Sequence, residues 1–174
     1  MLPLLWVLAL PMMLLAALLA GGLWMNNLPW DDPPGMGIRL QTYLESHVAE
    51  TAEGSPFPEL RPRHYPNVSP DQLFAHVERA VAGMPDWTIA ARDAKRRRVE
   101  AVVSTPLLRF QDDVTINVTA EANGNGAVLF LRSQSRIGQG DLGANTRHIL
   151  DVVAQVESFL AEGGKPSTAA AEHR

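Results

Sequence analysis

The chain contains no cysteine, and this absence excludes several kinds of chemistry at once. Without thiols there are no disulfides, no thiolate metal site, no thiol nucleophile and no lipidated cysteine. Lysine is also scarce, since Lys95 and Lys165 are the only two in 174 residues, and the formal net charge is -4. A chain of this charge lacks the basic surface that nucleic-acid-binding proteins carry. We therefore predict no nucleic-acid partner.

Charged side chains are missing from the N-terminal segment, where the first one is Asp31. The leucine-rich run from Leu2 to Met25 would measure about 36 Å as a helix at ~1.5 Å per residue, and the hydrocarbon core of a bilayer is about 30 Å thick. Trp24 and Trp30 would then lie near the far interface, where indole rings prefer to lie. The sequence predicts a single-pass transmembrane anchor over residues 1–30. A cleaved signal peptide is the alternative, disfavoured because the run is long and no basic residue precedes it.

The segment 31–64 is predicted to be a linker, since it opens with the helix-breaking run DDPPGMG and contains many prolines further on. Between these breakers the stretch 38–53 can form a short amphipathic helix, with Leu40, Leu44 and Val48 on one side. The proline-rich stretch 54–66 should be extended. It carries apolar side chains that a free tether would not need, so we expect these to dock on the domain: Phe57, Leu60 and Tyr65.

Residues 65–162 have the pattern of a compact α+β domain. Ser69-Pro70 is typical of a helix start, and Asn123 to Gly126 reads NGNG, a strong hairpin signal. Alternating apolar residues predict four antiparallel strands, and Asp141 should cap a last helix. The predicted fold is a two-layer sandwich of a helix, a four-stranded antiparallel sheet and a C-terminal helix. Residues 163–174 are predicted to be a disordered tail.

Polar residues concentrate where the last predicted strand ends. Alternation places Arg132, Gln134 and Arg136 on one face of that strand. Ser133 and Ser135 belong to the other face. The hairpin would bring the start of the preceding strand, Asp112 and Asp113, beside Ser135 or Arg136. We therefore predict a cluster at one end of the sheet, with these candidate ligand-binding residues: Asp112, Asp113, Arg132, Ser133, Ser135, Arg136, Asp141, Asn145 and Arg147.

Three sequence blocks in this region resemble a known family. They are Phe110-Gln111-Asp112-Asp113-Val114, then the Arg-Ser-x-Ser-Arg-x-Gly block at 132–138, and then Asp141-Leu142-Gly143-Ala144-Asn145. Together they resemble the bacterial and plastid family called domain of unknown function 1499, over roughly Tyr65 to Leu160. The resemblance implies an α+β domain that is membrane-associated or exported, and it implies no established activity. We accordingly expect a bacterial inner-membrane protein with its C-terminal domain on the periplasmic side.

The cluster allows three interpretations. It can be an internal network of ion pairs and hydrogen bonds that fixes the strand ends. It can be a small-anion site in which Arg132, Arg136 and Arg147 surround the positive end of the last helix. A divalent metal on Asp112, Asp113 and Asp141 would suit oxygen ligands, but the neighbouring arginines argue against it. We predict neither a metal nor a cofactor.

These observations favour a non-catalytic binding or scaffold domain held at the membrane by its N-terminal helix, with an unknown protein partner. The alternative is a hydrolase-like enzyme that uses Asp112 or Asp113 as a base and the arginines to hold an anion. Ser133 and Ser135 are poor nucleophile candidates because no histidine lies at a predictable distance. The basic run Lys95 to Arg98 is expected in a solvated turn, with contact to anionic lipid headgroups as its alternative function.

Overall fold

The computed structural model describes residues 2–105 and 109–163. Its elements, in chain order, are α1 (Leu2–Met25), α2 (Met36–Glu45), β1 (Val48–Glu50), a 3-10 helix (Pro58–Leu60), β2 (Arg63–Tyr65), α3 (Pro70–Gly83), β3 (Trp87–Asp93), β4 (Arg98–Ser104), β5 (Gln111–Ala120), β6 (Ala127–Ser135) and α4 (Ala144–Gly163). The fold is α+β, with helices packed against an antiparallel sheet. The predicted tail lies outside the described residues from position 164 onward.

The sheet has six strands, in the order β1-β6-β5-β4-β3, with β2 also paired to β6. All of its pairs are antiparallel. The prediction of four strands was therefore wrong. β1 and β2 are only three residues long, and such short strands show no alternation that a sequence pattern could detect. They exist because β6 offers them backbone partners along its free edge.

Helix α3 forms as its sequence predicts. Ser69 accepts the backbone N–H of Gln72, and the Gln72 side chain accepts the backbone N–H of Ser69, which together make a capping box. Pro70 occupies the first turn, and the helix ends at Gly83, two residues before Pro85. Its buried side line meets the sheet and α4 with these residues: Leu73, Phe74, Val77, Ala80 and Val81. Each large apolar side chain of this kind contributes about 1.5–3 kcal/mol when fully buried.

Helix α2 differs from its prediction in length and in orientation. It ends at Glu45, and the predicted continuation towards residue 53 instead contains strand β1. Arg39 and Tyr43 face the domain and are buried, whereas Leu40 and Leu44 are exposed. The apolar side was expected to dock, so the helix is turned the opposite way. The cause is a set of acceptors that Arg39 finds in the interior.

All five N–H groups of the Arg39 guanidinium are hydrogen-bonded. Nε donates to the carbonyl of Asp32 at 3.1 Å, and Nη2 donates to the carbonyl of Pro33 at 2.6 Å. Nη1 donates to the Tyr43 hydroxyl at 3.1 Å, and both Nη atoms donate to the Glu59 carboxylate. Arg39 and Glu59 are both buried. This ion pair ties α2 to the 3-10 helix across the segment predicted as a linker.

The proline-rich stretch docks on the domain as expected. Leu60 and Tyr65 are buried in the main core, and Phe57 packs against that core. Phe57 also lies under the Arg39 guanidinium, with 5.2 Å between the guanidinium carbon and the ring centroid.

The loop between β6 and α4 holds both N-terminal helices. The Leu142 carbonyl accepts the Asn26 side-chain amide at 2.9 Å, just after α1, and the Leu142 N–H donates to the Tyr43 carbonyl of α2 at 2.9 Å. Gly140 lies against the backbone of Leu44 so closely that a Cβ atom there would come within 2.2 Å of the Leu44 carbonyl oxygen. Only glycine fits at this contact. Among the residues described, none of the helices combines the length and the apolar character needed to cross a membrane.

Candidate functional site

The predicted cluster lies at the end of the sheet where β5 begins and β6 ends. Asp112 pairs in register with Ser135, and Asp113 pairs with Gln134. The NGNG turn at the other end of these strands sets this register, as the sequence predicted. Strand alternation then separates the two aspartates, since Asp112 faces the helices and Asp113 faces away from them. The nine candidate residues consequently fall into separate groups.

The outward group is a surface ion pair. Arg136 Nε lies 3.1 Å and 3.0 Å from the two carboxylate oxygens of Asp113, and Nη2 donates to Oδ1 at 2.7 Å. Nη1 donates to the Gln111 side chain. The Arg136 hydrogen bonds hold the pKa of Asp113 below its usual value. Both side chains are about half exposed, so this pair contributes at most about 1 kcal/mol to stability.

The inward group is buried and centres on Asn145, in the first turn of α4. Its amide nitrogen donates to the His47 carbonyl and to the Ser135 hydroxyl, each at 2.9 Å. Its amide oxygen accepts the Ser133 hydroxyl at 2.5 Å. Asn145 and Ser133 are fully buried. One side chain thus joins β6, α4 and the chain leading into β1.

His148 belongs to the same group, although the sequence analysis did not select it. Its Nδ1 lies 3.1 Å from Ser133 Oγ and 3.8 Å from Asp112 Oδ2, and Trp87 packs edge-on against its ring at 5.7 Å between centroids. Asn145 and His148 are three residues apart at the start of a helix and therefore share a face. That spacing was the signal available in the sequence.

This arrangement is not a nucleophile–base pair. The single proton of the Ser133 hydroxyl goes to Asn145, which leaves its oxygen to accept from His148 Nδ1. A serine nucleophile requires the reverse, with the hydroxyl donating to the histidine. Ser133 and Asp112 also approach the same ring nitrogen, whereas a relay uses both nitrogens. Ser133 has no exposed surface through which a substrate could reach it.

Asp141 caps α4 as predicted, from three residues before the first helical residue. Its carboxylate accepts the backbone N–H groups of Gly143 at 2.7 Å and Asn145 at 3.2 Å. Burial raises the pKa of Asp141 above its usual value, and the hydrogen bonds from Gly143 and Asn145 oppose this shift. The positive end of α4 therefore already carries its own carboxylate.

The other two candidate arginines do not join either group. Arg132 lies on the outer face of the sheet, 3.4 Å from the Glu50 carboxylate and 2.7 Å from the Gln134 side chain. Arg147 pairs with Asp151 one turn further along α4. The predicted convergence of three arginines on one anion site is therefore wrong for these coordinates of the chain, because strand parity and helix rotation point the three side chains in different directions.

Other features lie away from the cluster. The basic run Lys95 to Arg98 forms the β3–β4 turn at the opposite end of the sheet, since Arg98 pairs with Asn117 while Ser104 pairs with Gln111. Two of its arginines contact carboxylates at hydrogen-bonding distance, Arg97 with Asp71 and Arg98 with Glu100.

Surface cavities are lined by residues outside the cluster. One of about 410 Å³ lies where the chain leaves α1, beside Asn27, Leu28, Glu59 and Arg63. Over residues 2–105 and 109–163, no three histidine, aspartate or glutamate side chains are placed to hold a metal ion.

A family model matches residues 39–156, which is more than half of the chain. The chain belongs to the family described as protein of unknown function DUF1499. The resemblance predicted from the three sequence blocks is thereby confirmed. The match also begins at Arg39, so the DUF1499 region includes α2, β1 and β2 as well as the compact part that the sequence blocks indicated. A search of the curated proteins found no match to the chain.

The buried His148 should make this DUF1499 domain sensitive to acid. Burial lowers the pKa of His148 below its usual value, and the nearby Asp112 and Asp151 carboxylates oppose the shift. The unfolded chain therefore binds this proton at a higher pH than the folded chain does. The stability is complete above about pH 6.5 and decreases as the pH falls, by at most about 1.4 kcal/mol per pH unit for one proton. Urea unfolding between pH 7.5 and 5 should show the decrease.

Two variants test the assignment to His148. His148→Gln should flatten the acid-side decrease. His64 is the matched control, because its pKa is raised by the Glu121 side chain 2.6 Å away and its contribution has the opposite sign. His64→Gln should leave the decrease in place. An unchanged pH dependence in His148→Gln would show that another group causes the effect.

Proposed function

We propose that this protein is a membrane-anchored, non-catalytic binding or scaffold domain whose C-terminal part lies on the exported side of a bacterial inner membrane. The observation that carries the proposal is α1, an uncharged 24-residue helix that leaves its apolar side chains uncovered by the domain. The following residues of α1 are between 63% and 72% exposed: Leu10, Met12, Met13, Leu14 and Leu18. A helix that is apolar all round requires an apolar environment.

The exported orientation is supported by the charges that follow α1. Asp31 and Asp32 come first, and the next charge, Arg39, is buried against Glu59. The segment after α1 thus presents no cluster of free basic residues, which is what retains a segment on the cytoplasmic side.

The non-catalytic part is supported by the internal hydrogen bonding of the buried cluster. Ser133, Asn145 and His148 use one another as partners, so their polar atoms stabilise the junction of β6 and α4. This arrangement gives a fixed scaffold, and the partner that it presents itself to is an unknown protein.

Membrane fractionation of the full chain tests the anchor. The wild type should stay with the membranes after an alkaline carbonate wash. Met13→Arg, near the middle of α1, should reduce membrane retention because a central arginine costs about 2.5–3.5 kcal/mol on insertion scales. Met25→Arg is the control, since an arginine at the helix end can reach the interface. Recovery of the wild type in the soluble fraction would overturn the proposal.

The orientation is tested by reporters fused after Arg174. Alkaline phosphatase should be active and green fluorescent protein should be dark if the C-terminal domain is exported. The reverse result would place the domain in the cytoplasm and leave the anchor intact.

A further inference from the structure

Helix α2 carries an apolar stripe that nothing in the domain covers. Met36, Leu40 and Leu44 are four residues apart and therefore lie along one side of the helix over about 12 Å. They are 60%, 37% and 42% exposed. The opposite arrangement would be expected of a helix that folds onto its own domain, since the buried side here carries Arg39. We call these three residues the α2 stripe.

The position of the α2 stripe is fixed relative to the end of α1. Leu142 accepts a hydrogen bond from Asn26 and donates one to the Tyr43 carbonyl, so one residue holds both helices. Trp30, between the helices, packs edge-on against the Tyr43 ring at 5.5 Å between centroids. At the far end of α1, Trp24 and Met25 are also strongly exposed. The exposed apolar surface of α1 thus continues onto a second helix that is attached to the same loop.

We infer that the α2 stripe lies in the headgroup region of the bilayer that holds α1. This inference rests on the proposed anchor. A short helix that follows an anchor and is held against its end lies at the level of the membrane surface, and an apolar side line there enters the boundary between headgroups and acyl chains. The buried Arg39–Glu59 pair then has a purpose for this surface, because it holds α2 with its apolar stripe outward. The domain would be seated on the membrane rather than free on a tether.

The observations favour lipid over a second copy of the chain. A stable protein–protein interface buries about 800 Å² on each partner, and three partly exposed side chains supply far less than that. The stripe is, in contrast, continuous with α1, for which lipid is the proposed surrounding. Self-association through α2 is therefore an outcome of the test that would overturn the inference.

The absence of cysteine makes single-label experiments direct in the full chain. Leu40→Cys, Leu44→Cys and Ile38→Cys would each carry an environment-sensitive fluorophore in vesicles of phosphatidylethanolamine and phosphatidylglycerol. Ile38 is the matched control, since it is an exposed apolar residue of α2 about 160° around the helix from Leu40. Labels at Leu40 and Leu44 should show blue-shifted emission and quenching by a nitroxide carried near the lipid headgroup. The label at Ile38 should show less of both.

A fourth label at Leu18 of α1 separates this inference from the proposed function. If Leu18 is quenched by lipid and Leu40 is no more quenched than Ile38, the anchor holds and the seating of α2 is overturned. If Leu40 is quenched and Leu18 is not, α2 contacts lipid and the anchor fails. If neither is quenched, both proposals fail. Disulfide-linked dimers of unlabelled Leu40→Cys, with no lipid quenching of the label, would assign the stripe to a second copy.

Discussion

Replacing Arg39 with methionine should lower the free energy of unfolding by about 3–5 kcal/mol, because it leaves the buried Glu59 carboxylate without its partner. The carbonyls of Asp32 and Pro33 and the Tyr43 hydroxyl lose a donor in the same step. The exposed ends of α2 offer no replacement for these contacts. Chemical denaturation of the chain in detergent, followed by circular dichroism, measures the loss.

Two further variants identify the buried charge as the cause. Arg39→Met combined with Glu59→Met should be more stable than Arg39→Met alone, since an apolar pair of similar volume can replace a buried ion pair. Arg132→Met should cost less than about 1 kcal/mol, because the Arg132–Glu50 pair is largely exposed. If Arg39→Met were no more damaging than Arg132→Met, the proposed role of this ion pair in fixing α2 would be wrong.

Replacing Asn145 with leucine should cost about 2–4 kcal/mol, although the two side chains are close in volume. The change leaves the His47 carbonyl without its side-chain donor and deprives Ser133 and Ser135 of a partner. Each buried polar group left unsatisfied costs about 1–3 kcal/mol. Thermal unfolding should therefore show a clear decrease in Tm, and β1 should lose hydrogen-exchange protection because His47 leads into it.

Asn145→Asp separates hydrogen bonding from packing. The aspartate keeps an acceptor for Ser133 but loses the amide donor, and its charge lies close to the Asp141 carboxylate. It should destabilise the protein at neutral pH and less so as its carboxyl is protonated in acid. Asn117→Leu, on the outer face of β5, is the control and should change stability by about 0.5 kcal/mol or less. Equal effects of Asn145→Leu and Asn117→Leu would rule out the network described above.

These residues also show how far the sequence reaches. The register of β5 with β6 was predictable because the turn and the alternation are local signals, so the proximity of Asp113 and Arg136 followed from them. The division of the cluster into outward and inward groups also follows from strand parity. His148 was missed because its neighbours are set by the rotation of α4 on the sheet, which depends on how the whole core packs.

The sequence by itself determined the α+β class, the capped helix α3, the four longer strands and membership of the DUF1499 family, because periodicity, capping residues and short sequence blocks are properties of neighbouring residues. Only the tertiary structure decided that Arg39 lies inside and the α2 stripe outside. It also decided that β1 and β2 join the sheet and that Ser133 binds His148. The physical reason is that buried polar groups must find partners, and those partners lie up to 98 residues away along the chain, as they do for His47 and Asn145.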